Sequence, residues 1–130
     1  MEAALVDLTP QSLIALEQFI VVMNQTNVMP WKDALRLANR TAGAGSPSLR
    51  FLARPDAPAY LKSIRYDLGA QVRICRGVFD DYHKLGAYPA PAYARRVGII
   101  LRKARMKDRS NAFQVAWWRH FPNGNPVGWG

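Results

Sequence analysis

Apolar residues recur at helical spacing near the start of the chain. Leu13, Leu16, Ile20 and Met23 lie three or four positions apart, and Ile14, Phe19 and Val22 widen the stripe. Thr9 stands where an N-cap belongs, and Pro10 follows at the first helical position, where a missing N–H costs nothing. The pattern predicts a first helix buried over most of its girth, in the core or against another subunit. Asn24, Gln25, Thr26 and Asn27 end it. Pro30 opens a second helix with Trp31, Ala34, Leu35 and Ala38 on its apolar face and Gly43 as its stop. Two helices joined this closely predict a helical hairpin. The DNA-reading helix–turn–helix would need a more polar second helix and a tighter turn.

Residues 43–48 have the Gly, Ser and Pro content of a loop, and residues 49–53 fit a short strand. From 64 to 75 the pattern changes period. Ile64, Tyr66, Leu68, Ala70, Val72 and Ile74 alternate with Arg65, Asp67, Gly69, Gln71, Arg73 and Cys75. That alternation predicts a half-buried strand, or a hairpin turning near Gly69, with Arg65 and Arg73 together on the polar side. Val78, Phe79, Tyr82 and Leu85 fit a short helix that Gly86 ends. Residues 92–107 fit a helix better than a strand, and 111–121 fit a last strand with Phe113, Val115 and Trp117 on one face. The expected fold class is α+β. An N-terminal helical hairpin packs on a small antiparallel sheet, with a further basic helix and an irregular C-terminal tail. Residues 1–121 form a single domain, and 122–130 form the tail.

Composition narrows the setting. A chain of 130 residues, 49% of them hydrophobic, is enough for one core without a staple. Cys75 is the only cysteine, which excludes an intrachain disulfide and fits a reducing compartment. The first residues lack the pattern of a signal peptide, and no apolar run reaches membrane-spanning length. Charge changes the picture most. Residues 1–34 hold four acids and one base, a net of −3, whereas residues 35–130 hold seventeen bases and five acids, a net of +12. A basic face meeting an anionic partner is expected, and a merely solubilising surface accounts for the same charge equally well.

Catalytic and metal chemistry find little support. His83 and His120 are not spaced to close a zinc site with Cys75. Asp80, Asp81, Tyr82 and His83 are adjacent, so on a helix they diverge, and an exposed acidic turn is the simpler reading. Gly43-Ala44-Gly45-Ser46 lacks the Lys-Ser/Thr of a phosphate loop, and neither Ser46 nor Ser63 sits in a nucleophile motif. Neither a catalytic residue nor a metal, cofactor or small-molecule substrate is assigned.

The basic run over residues 95–109 carries more. Arg95, Arg96, Arg102, Lys103, Arg105, Lys107 and Arg109 face a single acid, Asp108, within fifteen residues. With Arg65 and Arg73 they are the candidate contacts for nucleic acid or an acidic neighbour. Tyr93, Phe113, Trp117 and Trp118 lie close enough in sequence to stack on bases, although Phe113 and Trp117 fit the core better. Trp129 sits in a tail that cannot build a core of its own. Together with Leu13, Leu16, Phe19, Ile20 and Met23 it is the candidate subunit interface of a homo-oligomer.

The alanine- and arginine-rich second helix (residues 30–40), the Gly/Ser/Pro loop and Tyr60-Leu61-Lys62-Ser63-Ile64-Arg65 follow an N-terminal helix in an order that resembles the small neck and tail-completion proteins of tailed bacteriophages, the minor tail protein Z-like group. The resemblance covers roughly residues 12–75. It implies a non-enzymatic subunit, repeated in a ring at the head–tail junction. Such a subunit would contact other virion proteins, carry a basic face near DNA, and occupy the virion or the host cytoplasm. A nucleic-acid-binding regulatory module and a small phage-encoded inhibitor of a host enzyme are the alternatives.

Overall fold

Thr9 and Ser12 start the first helix reciprocally. The Ser12 N–H donates to Thr9 Oγ1 at 3.1 Å, and the Thr9 N–H donates to Ser12 Oγ at 2.9 Å. The computed structural model describes residues 8–41 and 45–122. Its elements are α1 (Pro10–Gln25), α2 (Trp31–Arg40), a 3-10 helix (Pro47–Ala53), α3 (Ala57–Ser63), α4 (Leu68–Leu85), α5 (Pro91–Lys103) and α6 (Lys107–His120).

Helices α1, α4, α5 and α6 form the core bundle, each packed on the next and α6 closing back on α1. Phe19 of α1 sits at its centre. Its ring meets Phe79 edge-on at 5.5 Å and Trp117 at 6.4 Å, with Phe113 at 6.1 Å. Leu68, Val72, Cys75, Val97, Ile100, Leu101 and Phe121 fill the space around it. Burying a side chain of this size contributes about 1.5–3 kcal/mol.

Among the described residues there is no strand, which overturns the expected α+β fold and its antiparallel sheet. The alternation over residues 64–75 has another cause. Helix α4 is buried on two sides. Leu68, Val72, Cys75, Phe79 and Tyr82 face the bundle, while Ala70 and Ile74 face a second cluster with Ile64, Phe51, Tyr60 and Leu61. Two apolar stripes on one helix, superposed over two turns, imitate a period of two. Asp67 starts the helix by accepting the Ala70 N–H at 3.1 Å. Residues 111–121 belong to α6 for a similar reason. Phe113, Ala116, Trp117 and His120 lie inward at helical spacing, and Val115 is 71% exposed. Residues 49–53, expected as a strand, lie within the 3-10 helix that Pro47 opens. Residues 92–103 are helical, as favoured.

The expected helical hairpin also changes. Helix α2 packs on α4 rather than on α1, turning Ala34, Leu37 and Ala38 inward and leaving Trp31 and Leu35 exposed. The Tyr82 hydroxyl donates to the Met29 carbonyl at 2.8 Å and ties the α1–α2 connection to α4.

Candidate nucleic-acid interface

Pro91 opens α5, and Ala94, Val97, Ile100 and Leu101 turn it toward the core. At 100° per residue, Arg95, Arg96, Arg102 and Lys103 then share an outward arc of about 120°. No acidic residue occurs between Asp81 and Asp108, so the helix carries no internal counter-charge. Arg102 is exposed and engaged in a contact of its own.

The helix ends in a Schellman turn. The Met106 N–H donates to the Leu101 carbonyl at 2.8 Å and the Arg105 N–H to the Arg102 carbonyl at 3.0 Å. Arg105 occupies the left-handed position of this turn, with φ 61°, where glycine is the usual residue. Its exposed side chain adds a fifth cation at the end of the arc.

Tyr66 organises one side of this face. It lies in the turn between α3 and α4, half-buried against the core. Three cations approach its ring: Lys103 Nζ at 5.5 Å from the centroid, and the guanidinium carbons of Arg65 at 5.6 Å and Arg96 at 5.8 Å. Each such contact contributes about 0.5–1 kcal/mol at an exposed site. Three like charges around one ring also repel one another. Arg36, Arg54 and Arg109 each pair with a carboxylate, whereas none lies within ion-pairing distance of these three among the described residues. Beside the ring, a cleft of about 360 Å³ runs between α3 and α5, lined by Leu61, Lys62, Arg65, Gln71, Ala92, Tyr93 and Arg96.

The remaining candidates divide. Arg65 and Arg73 do not share a side. Arg65 faces the α3–α5 cleft, whereas Arg73 lies beside Ser12 and Ala15 of α1 and against the 3-10 helix. Arg109 turns to α1 and pairs with Glu17 at 3.1 Å, while Lys107 is exposed at the start of α6. Of the candidate subunit contacts, Leu16, Phe19 and Met23 are fully buried in the chain's own core, and Leu13 and Ile20 are half-buried against it. Those three offer no surface to a neighbour. Trp129 lies outside the described residues. Phe113 and Trp117 are core residues.

The acidic run on α4 is internal support, not an exposed turn. Asp81 is buried and accepts hydrogen bonds from the Ser46 hydroxyl and, at 3.0 Å, from the Ser48 N–H, capping the 3-10 helix from across the chain. Burial alone would raise its carboxyl. The bonds from Ser46 and Ser48 and the charge of Lys84 outweigh burial and hold it below the usual value. Cys75 faces the core instead of the polar side of a strand, and burial pushes its thiol up, away from reactivity. Among the described residues no three candidate ligands gather for a metal, and no helix is long and apolar enough to cross a membrane.

Sequence reading missed Lys62, Tyr66 and Gln71. Their signal is positional, since only the α3–α4 turn brings them to α5. The seven-residue spacing of Arg96 and Lys103, two turns apart on one stripe, was visible in the chain. Comparison with protein-family models, with curated proteins and with solved structures finds no match to this chain.

Proposed function

We propose that this protein is a non-enzymatic nucleic-acid-binding helical domain whose α5 face engages the phosphate backbone. The observation that carries the proposal is the group of Arg65, Arg96 and Lys103 around Tyr66, none of which forms an ion pair among the described residues. Phosphates passing along α5 would relieve their mutual repulsion and add contacts to Arg95 and Arg105. Arg105 supports the same reading, because its backbone position favours glycine and its side chain adds charge to this face.

Fluorescence anisotropy with labelled DNA and RNA, over a range of salt, tests the proposal. Affinity should fall steeply with salt, by a log–log slope of about −0.7 to −0.9 for each phosphate engaged. The double variant Arg96→Ala, Lys103→Ala should flatten that slope by about two contacts, whereas Arg73→Ala should leave it nearly unchanged. Absence of binding at low salt overturns the proposal.

A second reading, the self-associating virion subunit, draws on a different face. Ile14 and Val21 on α1 are 54% and 50% exposed, and Val115 lies on the adjoining α6. Glu17, Asp108 and Arg109 give this face both signs of charge, so two copies of a +9 chain meet there with least repulsion. Light scattering distinguishes the readings. A monomer at high concentration overturns the second, and a dimer that Val115→Asp dissociates supports it.

A further inference from the structure

We infer that the cleft between α3 and α5 receives an unstacked nucleobase with its phosphate, so that the protein prefers single strands to duplex. This inference rests on the nucleic-acid reading proposed above and names the form of nucleic acid that the same face selects.

The cleft differs in kind from the convex arc of α5. Its lining carries three cations, Lys62 and Arg65 from α3 and the turn after it and Arg96 from α5, together with Leu61, Ala92 and Tyr93. A phosphate site alone needs only the cations. An apolar and aromatic lining beside cations suits a flat base that brings its own negative charge. At about 360 Å³ the cleft falls within the size range of small-molecule sites.

The walls are held in place. Tyr93 packs against both apolar clusters, which restrains its ring. The Gln71 amide Nε2 donates to the Ile64 carbonyl at 3.0 Å, so this amide at the wall is also set before any ligand arrives. Preorganised groups lose little freedom on binding.

Position links the cleft to the rest of the face. Arg65 and Arg96 belong both to the cleft and to the cations around Tyr66. Lys103 stands two turns further along α5, and its Nζ reaches back to the same Tyr66 ring, 5.5 Å from the centroid. A strand lying along α5 can therefore set a phosphate against this group of cations, with a base turned into the adjoining cleft. In a duplex the bases are paired and stacked, and only phosphates reach the arc. Base insertion is open to a single strand, to a loop or to an end.

The test compares a labelled single strand with the duplex of the same length at one salt concentration, using DNA and RNA of one sequence. One base is replaced by 2-aminopurine, whose fluorescence rises on unstacking. The parent protein should bind the single strands about tenfold or more tighter than duplex and should brighten the probe. Ala92→Phe fills the cleft from an exposed position, leaves every cation in place and leaves the core untouched. It should remove the single-strand preference and the brightening, while duplex affinity and its salt slope stay as in the parent. Equal parental affinity for both forms overturns the inference and leaves the nucleic-acid reading standing. So does an Ala92→Phe variant that keeps the preference, or one that loses affinity for both forms equally. Absence of binding to either form overturns both.

Discussion

Gly86 and Ala34 meet backbone to backbone: a Cβ on Gly86 would stand 2.0 Å from the Ala34 carbonyl oxygen. Gly86 closes α4 in the left-handed conformation, φ 75°, and its N–H donates to the Tyr82 carbonyl at 2.9 Å. The same residue thus ends one helix and seats another. Gly86→Ala meets the left-handed penalty, about 1–2 kcal/mol, and a clash with main chain that cannot rotate aside. Denaturant unfolding should show a loss of more than about 2 kcal/mol, with amides of α2 exchanging early. A variant as stable as the parent would contradict this docking of α2.

Asp81 anchors the 3-10 helix to α4, with Gly77 giving it room. A Cβ at Gly77 would come within 2.5 Å of Ser48 Oγ. Asp81→Asn should cost about 1.5–3 kcal/mol at neutral pH, the range for hydrogen bonds to a charged group. The carboxyl is held below its ordinary value, so its contribution is present above about pH 3.9 and is lost as pH falls through the lower folded value. Unfolding curves of parent and variant should therefore converge in acid. A difference that persists there would trace to packing instead.

His120 gives stability a second pH dependence. Its Nε2 lies 2.7 Å from the Met23 carbonyl near the end of α1, and its Nδ1 is buried with no protein partner. Burial lowers its proton affinity, and the nearby charges of Arg119 and His83 lower it further, against the opposing bond to Met23. The folded value is depressed, so the unfolded chain takes up the proton first. Stability should be level above about pH 6.5 and fall below it, by at most about 1.4 kcal/mol per pH unit from this group, until the folded value is passed. In His120→Gln the decline between pH 6.5 and 5 should flatten. An unchanged decline would assign it to other groups.

Arg105 sets stability against charge. Arg105→Gly should relieve the left-handed backbone of the α5–α6 turn and raise stability by about 0.5–1 kcal/mol, read as a higher Tm. The same change should flatten the salt slope of nucleic-acid binding by about one phosphate contact. A more stable protein that binds less steeply is the expected pair of results. Raised stability with an unaltered slope would remove Arg105 from the interface.

Much of the local structure was legible in the chain. Thr9 and Pro10 mark the start of α1, Gly86 marks the end of α4, and the four cations of α5 share an arc by spacing alone. These are properties of neighbouring residues, determined by caps, turns and helical period. The helix at Val78–Leu85 was legible as the end of α4, but the first half of α4 and the helix α6 were not, because their burial patterns sum contacts from partners that sequence does not identify. On α4, Ala70 and Ile74 answer to the 3-10 helix segment while Val72 and Cys75 answer to the bundle. Only the packing separates those two stripes.

The sequence by itself determined that the chain is basic after residue 34 and that its positive charge is densest over residues 95–109. Tertiary structure decided which of those charges lie together. It set Arg109 against Glu17, sent Arg73 to the α1 side, and gathered Arg65, Arg96 and Lys103 around Tyr66. It also turned Leu16, Phe19 and Met23 from candidate interface into core. Charge and period are summed along a chain, whereas a site is a convergence in space, and here that convergence depends on where the turn between α3 and α4 meets α5.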